Sequence, residues 1–154
     1  MLALLSHYPG ATGMGIDQSP ETLGVARQNA ANLGFAARTE FVLGDWLSGV
    51  EGRFDLIVSN PPYIPTEDLL NLARNVREFD DPAALDGGAD GLDFYRRTLE
   101  EAKSVLSEGG LLALEIGVNQ CQSVTEIATG SGWRVIDQRA DLAGIPRALV
   151  LIAC

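Results

Sequence analysis

An asparagine, two prolines and a tyrosine, Asn60-Pro61-Pro62-Tyr63, stand directly after the apolar run Phe54-Asp55-Leu56-Ile57-Val58-Ser59. Each proline lacks an N–H and restricts its own φ, so the chain leaves a strand there in a stiff, extended turn. Such a turn holds an amide oxygen beside backbone carbonyls that no ladder claims. That pairing is a two-acceptor cradle suited to an NH₂ group, and chemistry on a planar NH₂ is the first reading. The plainer reading is a strand that stops at a proline, with Asn60 capping the turn. The closing Tyr63 and the buried run before it favour the first.

A second set of residues could hold a ligand. Asp17 closes the short run of residues 11–17, and Asp45 lies in Leu43-Gly44-Asp45-Trp46, just past another such run. In nucleotide-binding α/β folds an acid at the end of the second strand accepts hydrogen bonds from ribose hydroxyls. A later carboxylate can accept the exocyclic amine of adenine, and Trp46 offers an aromatic wall for the base. Taken singly, each acid reads more readily as the cap of a following helix. Followed by Asn60–Tyr63 in this order, the two favour a binding role.

These residues need a scaffold that brings strand ends together. Helical and strand periods alternate along the chain, as in a parallel sheet covered by helices. Residues 11–17 read as a strand, after which Ser19 caps a helix with Pro20 at its first position. Leu23, Ala26, Ala30 and Leu33 form the apolar stripe of that helix, and Gly34 ends it. Further strands are expected at 38–43 and 53–59. The polar segment 64–89 is far longer than an ordinary connection. A helix then starts near Asp90, turns Leu92, Tyr95, Leu99, Ala102 and Leu106 inward, and stops at Gly109-Gly110. A strand at 111–116, a helix at 118–129, and strands at 133–137 and 148–153 complete the pattern.

Composition narrows the classes. The 154 residues, 46% of them hydrophobic, suit one domain with a sizeable core. No apolar run approaches the roughly 18 residues that a membrane helix needs. Met1-Leu2-Ala3-Leu4-Leu5 has no basic flank or cleavage signal, so it does not read as a signal peptide. The two cysteines, Cys121 and Cys154, match no metal or disulfide spacing, and a reducing cytoplasm is expected. A formal net charge of −10 weighs against a nucleic-acid partner, because a grip on phosphates comes from Lys and Arg.

With these residues in hand, the chain resembles the class I S-adenosylmethionine-dependent methyltransferases. Asp17, Gly44-Asp45-Trp46 and the stretch from Asp55 to Pro65 carry the likeness. More narrowly, it is similar to the release-factor glutamine N5-methyltransferases, through Ala84-Leu85-Asp86-Gly87-Gly88 and Asp90-Gly91-Leu92-Asp93-Phe94-Tyr95-Arg96. Leu114-Glu115-Ile116-Gly117 and Asp141-Leu142-Ala143-Gly144 extend it nearly to the C-terminus. The resemblance implies an α/β fold, a Rossmann-like class I methyltransferase sheet flanked by helices with a C-terminal antiparallel strand. It implies an enzyme that takes S-adenosylmethionine as cofactor and a peptide chain release factor as protein partner, methylating the glutamine of a Gly-Gly-Gln motif. Asn60 Oδ1 and the Pro61 carbonyl are then expected to hold the glutamine amide, with Pro62 stiffening the turn and Tyr63 walling the flat side chain. Asp17 is expected at the ribose, and Asp45 and Trp46 at the adenine, with Asn60 at the seam of the two sites. No metal and no histidine base are called for.

The chain also departs from that family. The glycine-rich loop that wraps the methionine end of the cofactor is not in it, nor is the strand before that loop or the family's N-terminal helical domain. Gly10, Gly13 and Gly15 precede a strand rather than open a helix, so they are no substitute. Residues 1–154 are therefore expected to be a methyltransferase catalytic domain incomplete at its N-terminus, which binds cofactor poorly. The absent strand normally lies between the Asp17 strand and the Asn60 strand, and its loss leaves both with open edges. Other readings stay open: a DNA adenine N6-methyltransferase, which would flip its base out of the stack to meet the same four residues, or an inactive fragment. His7 is expected at a solvated helix end and Cys121 in the core with Val124 and Ile127. The acids Glu78, Asp80, Asp81, Asp86 and Asp90 lack the fixed spacing of a calcium loop. They read better as part of a substrate-facing loop that steers a basic partner.

Overall fold

The computed structural model describes residues 1–74, 76 and 81–154. The chain forms two compact units, Met1–Val50 and Glu51–Cys154. In the first, helix α1 (Leu2–His7) precedes strand β1 (Gly13–Asp17), helix α2 (Pro20–Asn32) and strand β2 (Thr39–Leu43). The two strands pair in parallel, with Asp17 opposite Leu43, and α2 is the crossover between them. α2 starts as its residues dictate. Ser19 Oγ accepts the Thr22 N–H at 3.1 Å and Pro20 takes the first turn, where its missing N–H costs nothing. Gly34 follows the helix with φ of 76°. Leu23 and Ala30 are buried as expected. Leu33 is not; it is 58% exposed, because it sits at the cap, beyond the last full turn of the stripe. Arg38 fastens the turn after α1, donating to the carbonyls of Leu5, Tyr8 and Ala11 at 3.0, 3.1 and 2.8 Å. His7 is exposed at the end of α1.

The second unit carries strand β3 (Phe54–Ser59), helix α3 (Asp93–Val105), strand β4 (Leu106–Glu115), helix α4 (Cys121–Gly130) and strands β5 (Trp133–Ala140) and β6 (Pro146–Ala153). Its sheet runs β3-β4-β6-β5, with β3 parallel to β4 and β6 antiparallel to both of its neighbours. Among the described residues β1 and β3 are edge strands of their own sheets. Leu56 and Val58, two apart on one face of β3, are 42% and 45% exposed.

The core of this unit forms between its helices and one sheet face. Leu112 lies opposite Leu151, and Leu114 opposite Leu149, all four no more than 1% exposed. Burial of each such leucine contributes about 2 kcal/mol. From α3 and its flanks, Leu92, Tyr95, Leu99, Ala102 and Leu106 are all buried, as their spacing demands. Trp133 is 1% exposed, and its indole N–H reaches the Leu99 carbonyl at 3.0 Å. The helix ends four residues before the expected Gly109-Gly110. β4 begins at Leu106, and the ladder to β3 skips from Phe54–Leu106 to Leu56–Leu111. Ser107–Gly109 bulge out between the two pairs, because they carry no apolar side chain for the core and Gly109 takes φ of 73°. Arg53 closes the helix end by donating to the carbonyls of Ser104 and Leu106 at 2.7 and 3.1 Å.

Candidate active site

Each unit presents its chemical residues at the carboxyl end of parallel strands, where open α/β sheets bind ligands. In the first unit Asp17 ends β1, and the Gly44 N–H after β2 donates to the Asp17 carbonyl at 3.1 Å. That bond puts Asp17 and the Gly44-Asp45-Trp46 turn side by side. The Asp17 side chain accepts the Ser19 N–H through Oδ1 at 2.8 Å, while its Oδ2 has no donor among the described residues. The helix-cap role and the ligand role are therefore compatible, one oxygen for each. Asp45 is exposed and Trp46 half-buried, with Trp46 held at φ of 61°. A left-handed backbone is uncommon for a large side chain and is tolerated where the surroundings demand it. Two carboxylates and an indole on neighbouring strand ends suit the hydroxyls, amine and flat base of a nucleoside. A cavity of about 240 Å³ in this unit includes Asp17 in its wall, with Thr22, Leu23, Asn29 and Phe41.

In the second unit the turn after β3 is built from Asn60, Pro61, Pro62 and Tyr63. Asn60 is exposed, Pro61 buried and Tyr63 half-buried. Among the described residues no donor reaches Asn60 Oδ1 or the carbonyls of Pro61 and Pro62. From the Tyr63 carbonyl to the Thr66 N–H the backbone finds partners. The Tyr63 carbonyl accepts from Gln120 Nε2 at 2.9 Å and the Ile64 carbonyl from the Gly87 N–H at 2.8 Å. Ile64 N–H donates to Leu85, and Thr66 N–H to Gly88, both at 3.0 Å. The prolines thus free the acceptors at the head of the turn, and a short parallel bridge between Ile64 and Asp86 anchors its tail.

The Tyr63 ring is held as well. Arg147 Nη2 donates to its hydroxyl at 3.3 Å and packs over the ring, 5.8 Å from the centroid. Glu115 faces the same guanidinium at 3.5 Å. The hydrogen bond to Tyr63, aided by Glu115, raises the Arg147 pKa further above its already high value. Tyr95, fully buried, donates its hydroxyl toward the Glu115 carbonyl and Gln120 Oε1 and accepts the Gly117 N–H at 3.2 Å. Burial pushes the Tyr95 phenol far above its ordinary range, so it stays a neutral donor.

The segment 64–89 is a closed loop rather than a loose connection. It contains 3₁₀ turns at Thr66–Asn71 and Pro82–Ala84, and its two ends meet at the Ile64–Asp86 bridge. Its acids have local work. Asp81 caps the Ala83 N–H at 2.9 Å, and Asp86 accepts from Thr66 Oγ1 and the Gly88 N–H at 2.7 and 3.0 Å. Asp90 pairs with Arg96 at 2.6 Å, which holds its carboxyl below the usual range. Glu78 and Asp80 lie outside the described residues. Cys121 is half-buried rather than core, its thiol donating to Gln138 Oε1 at 3.2 Å, because the helix begins there and leaves its first residue on the rim.

Gln120, Arg147 and Glu115 carry no local sequence signal for a role at the turn, since Gln120 is 57 residues and Arg147 84 residues from Tyr63. Only a register that folds the ends of β4 and β6 toward the turn exposes them.

Comparison with known proteins agrees with this architecture. Release factor glutamine methyltransferases from Rhodospirillum rubrum and Bradyrhizobium diazoefficiens are 45% and 47% identical to the chain, each over 97% of it. The chain spans 46% and 50% of those two proteins, about half the length of the curated relatives it matches. A methyltransferase from Pyrococcus furiosus superposes with a TM-score of 0.72 at 23% identity, covering 98% of this chain and 67% of that one. A ribosomal protein L11 methylase from Lactobacillus delbrueckii subsp. bulgaricus gives 0.65 at 23%, covering 99% and 63%, and both show a shared fold. A family model described as the methyltransferase domain matches residues 2–131, and the chain belongs to that family.

Proposed function

We propose that the protein transfers a methyl group from S-adenosylmethionine to the side-chain nitrogen of a glutamine, in the Gly-Gly-Gln motif of a peptide chain release factor. The observation that carries this reading is the state of the turn after β3. Among the described residues Asn60 Oδ1 and the Pro61 carbonyl are left without donors, while the carbonyls of Tyr63 and Ile64 are taken. The identity to release factor glutamine methyltransferases, running through these residues, supports the choice of a glutamine amide over other NH₂ groups.

A carboxamide nitrogen is a poor nucleophile because its lone pair is delocalised into the carbonyl. With its two N–H bonds donated to Asn60 Oδ1 and the Pro61 carbonyl, the nitrogen is fixed in position and in rotation. Those two acceptors also stabilise the positive charge that grows on nitrogen as its bond to carbon forms. Fixed dipoles of this kind are each worth on the order of 10²–10³ in rate, and the orientation adds an entropic advantage. Pro62 stiffens the turn, and Tyr63, clamped by Arg147, walls the flat amide. Asp17 would hold the ribose, and Asp45 and Trp46 the adenine. When bound, the cofactor supplies an electrophilic sulfonium methyl.

The test is to incubate the protein with methyl-labelled S-adenosylmethionine and either a release factor bearing Gly-Gly-Gln or duplex DNA, then map the label by mass spectrometry. Label is expected on the glutamine alone. Asn60→Ala is expected to lower kcat by about 10²–10³-fold with little change in melting temperature, since Asn60 is exposed. Label on adenine, no label on the release factor, or an Asn60→Ala enzyme of undiminished rate would each overturn the reading. Among the described residues no helix is long and apolar enough to cross a membrane.

A further inference from the structure

We propose that Gln120 is a positioning residue for the methyl-acceptor turn, a brace that fixes the direction of the carbonyls in Asn60–Tyr63 without touching the substrate. The proposal rests on the reading of that turn given above. Gln120 is the residue just before α4, and its side-chain amide joins three separate segments. Nε2 donates to the Tyr63 carbonyl at 2.9 Å and to the Gly91 carbonyl at 3.2 Å. Oε1 accepts from the Gly117 N–H at 3.1 Å and from the Tyr95 hydroxyl at 3.3 Å. A primary amide has two donors, and here both are used; its oxygen shares the Gly117 N–H with the Tyr95 hydroxyl and the Tyr95 hydroxyl with the Glu115 carbonyl.

The orientation of this amide is dictated by its partners. Tyr63 and Gly91 offer only carbonyls, and Gly117 offers only an N–H. A flipped amide would set oxygen against two carbonyl oxygens and NH₂ against an N–H, losing the bonds to Tyr63, Gly91 and Gly117. The fit is also tight. A Cβ on Gly91 would lie 2.5 Å from the Tyr63 carbonyl oxygen and 2.8 Å from Gln120 Nε2, and a Cβ on Gly117 would collide with Gln120 Oε1. The backbone of three segments closes around one side chain.

The consequence for the turn is directional. Gln120 removes the Tyr63 carbonyl from the set of possible acceptors and pins the peptide plane that follows Tyr63. The Ile64 backbone is pinned in turn by Leu85 and Gly87. With its tail immobile and two prolines in its middle, the turn has little freedom at its head. The Pro61 carbonyl is then held in one direction before any amide arrives. Without Gln120 the peptide between Tyr63 and Ile64 keeps only its bond to the Leu85 carbonyl, and a misplacement of about 1 Å can cost on the order of 10²-fold in rate.

Two variants separate this role from a general structural one. Gln120→Glu keeps the acceptor for Gly117 and Tyr95 and deletes the donors to Tyr63 and Gly91. Tyr95→Phe deletes a hydroxyl on the other side of Gln120 and leaves both donors in place. For Gln120→Glu, kcat for release-factor methylation is expected to fall about 10–100-fold with the KM for S-adenosylmethionine unchanged, while Tyr95→Phe loses less than about 3-fold. Hydrogen exchange supplies a readout that needs no turnover. The Ile64 and Thr66 amides should exchange at least about 10-fold faster in Gln120→Glu, with the amides of Leu112 and Leu149 in the sheet unchanged. If the wild-type protein fails to methylate the release factor, the functional reading falls while the exchange result still decides the brace. Wild-type exchange at Ile64 and Thr66, or equal acceleration across the sheet, overturns the proposal. So does a kcat for Gln120→Glu no lower than that of Tyr95→Phe.

Discussion

Gly91→Ala is the sharpest test of how the turn is packed, because a second glycine provides its internal reference. Gly91 has φ of 73° and Gly144 has φ of 81°, so an alanine at either pays the same left-handed strain of about 1–2 kcal/mol. A Cβ on Gly144 meets nothing within 4 Å. On Gly91 it would lie 2.5 Å from the Tyr63 carbonyl oxygen, 2.8 Å from Gln120 Nε2 and 3.2 Å from Pro65 Cδ. The first is backbone, the second donates to two carbonyls, and neither can yield without straining the bond between them. Loss of that bond costs about 1 kcal/mol, and the forced shift adds about 1–2 kcal/mol. Gly91→Ala should therefore destabilise by about 3–5 kcal/mol against about 1–2 for Gly144→Ala. The gap of about 2–3 kcal/mol corresponds to roughly 5–10 °C in melting temperature for a chain of this size. Urea unfolding of both variants, with the slope m compared to wild type, measures it. Destabilisation by Gly91→Ala that matches Gly144→Ala to within about 0.5 kcal/mol would refute the packing argument.

Three further outcomes follow from the same structure. Leu114→Ala, at a fully buried position opposite Leu149, should cost about 2–5 kcal/mol in chemical unfolding; a loss below about 1 kcal/mol would mean that this layer is not the core. Trp133→Phe removes the indole N–H that reaches Leu99 and leaves a gap, for an expected loss of about 2–3 kcal/mol in the same measurement. The Asp90–Arg96 pair should make the start of α3 acid-sensitive. Arg96 lowers the Asp90 pKa below its ordinary 3.8, so the pair stabilises the fold above that value and the gain is lost as pH falls through the lowered one. The stability difference between wild type and Asp90→Asn should accordingly shrink below pH about 4, and a difference that stays constant down to pH about 2 contradicts the assignment.

Local chemistry wrote much of this protein legibly. Pro20 after Ser19 starts a helix anywhere, because an orphan N–H and a hydroxyl acceptor are adjacent in the chain. The spacing of Leu92, Tyr95, Leu99, Ala102 and Leu106 marks one buried stripe through the helix period alone. Where the signal was marginal the structure differs. Leu33 fits the same period but lies past the last turn, and the Ser107–Gly109 bulge was read as the end of a helix. Nothing local distinguishes a helix end at Gly109 from a bulge in the strand that follows.

The residues that do the chemistry divide the same way. Asn60, Pro61, Pro62 and Tyr63 are consecutive, so the composition of the turn and its free acceptors are properties of the sequence. Two adjacent prolines offer no N–H to a ladder, and among the described residues no donor reaches the Asn60 amide oxygen beside them. What stabilises the turn is a different matter. Gln120 and Arg147 reach Tyr63 across 57 and 84 residues, and they meet it only after β4 and β6 pair in register with Glu115 opposite Ala148. A register slip of one residue would carry Arg147 to the other face. Which atoms can accept an NH₂ group is a local matter, because it depends on bonding within a few residues. Which atoms brace the turn is a matter of the fold, because long-range hydrogen bonds exist solely once the sheet has set the distance.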